Sequence, residues 1–275
     1  MAAPSFTDVV TGWTLDPGAL LAVAALGSAY WRGVRRLRAR GHRWASGRST
    51  AFAAGLGLIL VATQSGLGRY DTEGFAVHMG QHLVLGMAAP LLLALGAPIT
   101  LALQACSPSM KRVVLRLVHS RTAAVLTRPV VGFVLFGGTL VALYFSPLLE
   151  LSLRHGAIHA LVHAHVVLVG AVFLWPLLGV DVLPRPVPFG ARLLTVLAAV
   201  PFHAFLGVAL LTADRPLVPA FYPSVGDQRA AAGILWSSGE LLTLVVAAIV
   251  FARWAAADRR EAIRLDRRLE AGRTS

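Results

Sequence analysis

The stretch FAVHMGQHLVLGMAAPLLLALGAPITLALQ, residues 75–104, decides the fold. It runs for thirty residues without a Lys, Arg, Asp or Glu. A membrane helix needs about 20 predominantly apolar residues. Its only ionisable groups are His78 and His82. Residues four apart share one face of a helix, so the two imidazoles stack one turn apart. A second pair, His159 and His163, repeats the spacing in another apolar run. Ionisable side chains are costly in a membrane helix, face the bundle interior and mark a site.

Working outward, the same apolar character recurs along the chain. Of 275 residues, 56% are hydrophobic and 14% charged, and the mean hydropathy is +0.69. The chain reads as an all-α, polytopic membrane helix bundle. Seven transmembrane helices are expected at 17–31, 50–67, 75–104, 128–148, 155–178, 190–212 and 231–253. A transmembrane β-barrel needs alternating segments of about ten residues, and these runs do not alternate. Pro90 and Pro98 are expected to kink or shorten the third helix, and Pro176 and Pro201 the fifth and sixth. No cleaved signal peptide is expected, because the first apolar run is followed, not preceded, by arginines.

The net charge of +12 lies between the apolar runs, which argues against nucleic acid as its partner. Seven Arg lie between the first two helices, five Arg and Lys between the third and fourth, two between the fifth and sixth, and seven at the C-terminal end. The alternate side holds only Arg69, Arg154, Arg215 and Arg229. Positive-inside bias places the N-terminus outside and the C-terminus in the cytoplasm. Residues 1–254 form the membrane domain. Residues 255–275 form a basic cytoplasmic tail, solvated or lying on anionic lipid.

Depth follows from a rise of about 1.5 Å per residue. His78 and His82 lie roughly 5 and 10 Å inside the outer surface, His159 and His163 at similar depths, and His203 roughly 13 Å in. Five histidines on three helices therefore meet in the outer leaflet. Imidazole is the commonest protein metal ligand and suits copper, zinc and iron. His78, His82, His159, His163 and His203 are the candidate metal ligands, for one ion, a binuclear pair or a haem. Against this stands the plainer role of a hydrogen-bonded packing histidine. His155 sits at the interface, and His165 points to another face than His163. Met79 and Met87 offer thioethers, though Met more often fills a core. The lone Cys106 excludes an internal disulfide and a Cys-pair site. Glu240, nine residues into the seventh helix, is a candidate to orient a ligating His or relay protons. Asp227 is a candidate for drawing a cation in at the outer mouth, and Asp16 a weaker one; both also suit helix capping.

Three blocks of sequence carry a resemblance. They are His78-Met-Gly-Gln-His82 through Ala89-Pro-Leu-Leu-Leu-Ala-Leu-Gly-Ala-Pro98; Tyr144-Phe-Ser-Pro147 with His159, His163 and Phe173-Leu-Trp-Pro176; and Asp227-Gln-Arg-Ala-Ala-Ala-Gly-Ile-Leu-Trp236. Together, in this order, they resemble the signature of the CtaG-type (caa3 family) cytochrome c oxidase assembly factors over about residues 75–250. The resemblance implies a multi-pass protein of the bacterial plasma membrane, without enzymatic activity. It implies oxidase subunits and the lipid bilayer as partners, and copper, as Cu(I), as the metal aided toward the oxidase's catalytic subunit. His78, His82, His159 and His163 are the ligands it implies. Haem bound by the same histidines is the alternative. A proton-coupled carrier using Glu240 and a metal-free scaffold are further rivals.

Overall fold

The computed structural model describes residues 5–273. The first four residues of the expected membrane domain and the last two of the expected tail lie outside the described residues. Among the described residues fourteen α-helices follow one another: α1 Phe6–Thr11, α2 Pro17–Ala39, α3 Ser46–Gln64, α4 Gly66–Arg69, α5 Phe75–Leu83, α6 Ala89–Leu95, α7 Pro98–Ala105, α8 Pro108–Val118, α9 Arg121–Leu126, α10 Pro129–Tyr144, α11 Leu148–Arg154, α12 Gly156–Leu178, α13 Phe189–Leu211 and α14 Val225–Arg273. A π-helical turn, Val84–Ala88, joins α5 to α6. Among the described residues there is no β-strand, only an isolated bridge between Trp13 and Ser65.

The chain is an all-α membrane bundle. Among the described residues, four helical stretches are long and apolar enough to cross a bilayer: Phe75–Ala105, Gly156–Leu178, Phe189–Leu211 and Val225–Arg264. A fifth is added if α10 and α11, bent by 70°, act as one span. The expected first and second spans, α2 and α3, fall short of this test because of their composition. Arg32, Arg35 and Arg36 occupy the second half of α2, and Arg48, Ser49 and Thr50 open α3. In lipid the apolar side chains facing outward, such as Phe205, Leu194, Leu241 and Leu244, need no further cover.

The prolines act differently from one another. Pro90 follows the π turn and the helix continues through it. Before Pro98 the helix does break: buried Ala97 takes the left-handed conformation (φ 50, ψ 52) and Pro98 opens α7. Asp181 secures that restart, accepting hydrogen bonds from the backbone amides of Ile99 and Thr100. Pro176 lies two residues from the end of α12, which Gly179 closes at φ +57. Pro201, expected to kink or shorten its helix, lies inside α13, which runs ten residues further. A proline removes one backbone donor, and neighbouring groups in a bundle re-satisfy the freed carbonyl. The basic tail is likewise continuous with the last membrane helix; α14 has no break at residue 254.

Three packed clusters form the core. The first joins α2 and α3 to the π turn and α6 through residues such as Tyr30, Phe52 and Leu93. The second closes one end of the bundle: Phe75, Tyr144 and Tyr222 pack with Leu206 and Leu235 there. Gln228 holds the loop from residue 212 to 224 over this end, accepting from the Leu217 amide and donating to the Leu210 and Arg215 carbonyls. The arginines of α2 lie at the opposite end, where Arg40 reaches the Gln104 carbonyl.

Candidate metal centre

The two His pairs face each other. Ring centroids are 4.0 Å apart within His78–His82 and 4.3 Å within His159–His163. Across the helices they are 5.9 Å for His78–His159 and 5.4 Å for His82–His163. Helical spacing accounts for the contact within each pair; helix crossing accounts for the contact between pairs. A Cβ built on Gly170 of α12 lies 1.9 Å from the carbonyl oxygen of Gly86, so the two backbones touch and only glycine fits. Gly86 lies in the π turn that begins two residues after His82. Such turns insert an extra residue into the helical ladder and are frequent at functional sites.

A carboxylate completes the cluster. Asp71 lies in the turn between α4 and α5 and is 4% exposed. Its Oδ2 is 2.9 Å from His159 Nε2 and 3.8 Å from His163 Nε2. One ligand atom from each of Asp71, His159 and His163 lies within 4.8 Å of the others. Tyr222, in the loop over this end, donates its hydroxyl hydrogen to the Asp71 carbonyl and stacks on Phe75 at 4.9 Å. Burial, and then the Asp71 carboxylate, push the Tyr222 phenol well above its ordinary range. The phenol is therefore a donor at any physiological pH.

The cluster has a polar approach. A cavity of about 380 Å³ is lined by Asp16, Thr63, Asp71, Gln81, His159 and His163. Gln64 holds Asp16 in place, accepting from the Asp16 amide and donating to the Asp16 carbonyl. His78 and His82 lie behind this vestibule, both buried.

Whether these residues suit a metal is decided by their unpartnered atoms. Both ring nitrogens of His78 and of His82, Nδ1 of His159 and Nε2 of His163 are buried without a hydrogen-bond partner. Each such group costs about 1–3 kcal/mol, and buried polar groups are otherwise almost always satisfied. Several orphaned imidazole nitrogens beside one carboxylate form a donor set that a late first-row metal ion satisfies. The residues fit the ion.

A family model described as "Cytochrome c oxidase caa3 assembly factor" matches residues 28–257. The chain belongs to this Caa3_CtaG family. Uncharacterized proteins of Mycobacterium leprae, Mycobacterium bovis and Mycobacterium tuberculosis are each 35% identical to it over 96% of this chain. The chain spans only 42% of the length of these relatives. No solved structure matches it.

Within this Caa3_CtaG chain, four of the five expected ligands come together, and His203 does not join them. His203 is fully buried on α13 with both ring nitrogens unpartnered, set against Gly239 and 6.0 Å from the Phe136 ring. It lines a narrow apolar cleft with His82, Met79, Met87 and Tyr144. The Glu240 side chain is half-buried and makes no hydrogen bond or ion pair among the described residues. Asp227 caps α5: its two carboxylate oxygens accept from the backbone amides of Phe75 and Ala76 at 2.6 and 3.2 Å. The acid at the mouth is Asp16, and the acid beside the histidines is Asp71. His155 is exposed, and His165 turns outward to Thr139. Cys106 lies at the opposite end, half-buried.

Asp71 and Tyr222 were not singled out by spacing. Asp71 precedes His78 by seven residues, two helical turns, yet the turn before α5 removes it from any helical face. Tyr222 meets Asp71 across 151 residues of chain. Neither contact has a periodic signal.

Proposed function

We propose that this chain is an integral-membrane assembly factor for haem-copper cytochrome c oxidase, with Cu(I) as its cargo. Seven helical segments cross the bacterial plasma membrane, the N-terminus is outside, and the His cluster opens outward. The ion enters past Asp16, is taken by Asp71, His159 and His163, and is passed one layer inward to His78 and His82. Ligand exchange needs neutral imidazoles at each station and no redox change. Oxidase subunits are the partners, and the role is non-enzymatic.

The observation that carries this reading is the set of buried, unpartnered imidazole nitrogens around Asp71. Haem held between the same pairs would lie between α5 and α12. The helices close backbone to backbone at Gly86 and Gly170, so the geometry favours an ion.

The test is metal analysis of detergent-purified protein after anaerobic Cu(I) loading, beside His159→Ala/His163→Ala and His203→Ala variants. About one or two copper equivalents, retained in the His203 variant and lost in the double variant, is the expected result. Equal copper in all three proteins, or none in the native one, sinks the reading. A Soret band in the native protein would replace the ion with haem.

A further inference from the structure

At the end of the bundle opposite the histidines, α2, α7 and α8 enclose a second cavity of about 360 Å³. Its walls are apolar, formed by Leu26, Ala29, Leu101, Ala105 and Met110. Its rim carries Arg32 and Arg36, one turn apart on α2. Both are exposed, and neither guanidinium makes a hydrogen bond or ion pair among the described residues. Asp181, the buried acid toward this end, is committed to capping α7. Like charges four apart on a helix repel. The negative end of the α2 dipole offsets part of that repulsion, and an external anion is what this arrangement lacks.

We propose that this groove is a binding site for one anionic phospholipid. An acyl chain occupies the apolar trough between α2 and α7, and the headgroup phosphate lies on Arg32 and Arg36. Charge complementarity and shape support this occupant together. Two guanidiniums in a fixed row match phosphate oxygens, and basic pockets between membrane helices select anionic headgroups. The elements beside the groove fit the same depth. No residue of α8 is buried. Lys111, Arg112 and Arg116 alternate there with exposed Met110, Val113 and Leu117, the pattern of a helix lying in the headgroup plane. Trp31 and Trp44 flank the groove, and the Trp44 indole N–H donates to the Tyr30 hydroxyl, which in turn donates to the Gly96 carbonyl. Trp44 is buried, while the exposed Trp31 ring is of the amphipathic kind that sits at the headgroup level.

Native mass spectrometry of the full detergent-solubilised chain, incubated with equal amounts of phosphatidylglycerol and phosphatidylcholine, tests it. The native protein is expected to retain phosphatidylglycerol over phosphatidylcholine by about tenfold or more, the scale two interfacial arginines supply. Arg32→Gln/Arg36→Gln should bring the ratio close to one. Arg38→Gln/Arg43→Gln, which removes the same charge outside the groove, should leave it unchanged. Ala29→Phe, at an exposed position on the trough, should reduce bound lipid of both kinds while the arginines remain. Equal effects of the two arginine pairs would reduce the site to diffuse surface charge and overturn the proposal. So would undiminished lipid on Ala29→Phe, or equal retention of both lipids by the native protein.

Discussion

Replacing Gly170 by alanine tests the crossing that brings the histidines together. The new Cβ would lie 1.9 Å from the Gly86 carbonyl oxygen and 2.8 Å from its carbon. Ordinary contact begins at 3.4 Å, so the helices must part locally by 1.5 Å, the difference between 3.4 and 1.9. Both obstructing atoms are backbone, and no rotamer change relieves them. Overpacking of this type costs about 1–3 kcal/mol. Helix propensity alone has the opposite sign: Gly to Ala in a helix interior stabilises by about 1 kcal/mol. A fall in thermal stability of the purified protein therefore reports the close approach. The consequence for the cluster is larger than for the fold. Metal–ligand distances tolerate about 0.2 Å, and His82–His163 and His78–His159 span the two helices that separate. Cu(I) affinity, measured by competition with a chromogenic chelator, should fall at least about tenfold, on the scale of lost supporting contacts. Gly86→Ala is the control. Its Cβ meets a side-chain atom, Val166 Cγ1 at 2.9 Å, and no backbone atom, so a shift of about half an ångström relieves it although valine has little rotamer freedom. If Gly170→Ala matches the native protein in stability and copper affinity, or if Gly86→Ala is the more damaging, the helix-contact account of the site is wrong.

Three further outcomes follow from other contacts. Asp71→Asn keeps an acceptor for His159 but removes the charge; copper affinity should drop about 10–100-fold with little change in melting temperature, and unchanged affinity would remove Asp71 from the site. Asp227→Ala deletes the α5 cap and should cost about 0.5–2 kcal/mol, whereas Asp227→Asn should leave copper uptake at its native rate, since the vestibule acid is Asp16. Tyr222→Phe should cost about 1 kcal/mol through its hydrogen bond to Asp71. The Tyr222 phenol is raised on folding, so its stabilisation is fully present below the ordinary value of about 10 and is lost as pH rises above it. Melting curves between neutral and strongly alkaline pH should show that loss in the native protein and a smaller one in Tyr222→Phe.

The sequence by itself determined the membrane class and the two His pairs. Apolar length and four-residue spacing are local properties, and an α-helix converts them directly into spans and faces. Sequence depth also put five histidines, His203 included, in the same outer layer, because rise per residue is fixed. His203 shows where that reasoning stops: matching depth says nothing of azimuth, and α13 turns this ring toward Gly239 and Phe136. Glu240 forms no hydrogen bond or ion pair with the cluster among the described residues. Pro201 was legible as a helix breaker, yet the surrounding bundle keeps α13 intact.

Only the tertiary structure decided what surrounds the imidazoles. The Gly86–Gly170 contact, the Asp71 carboxylate and the Tyr222 lid each join segments remote in sequence, and none leaves a periodic trace. Asp227 carries the same lesson in reverse. Its position at the mouth of a helix was readable, while its commitment to the amides of Phe75 and Ala76, 152 and 151 residues away, was not. Helical geometry is set by neighbours in the chain. A cluster of this kind is set by which helices can touch, and here that is governed by Gly170, whose missing side chain lets its backbone meet the Gly86 carbonyl.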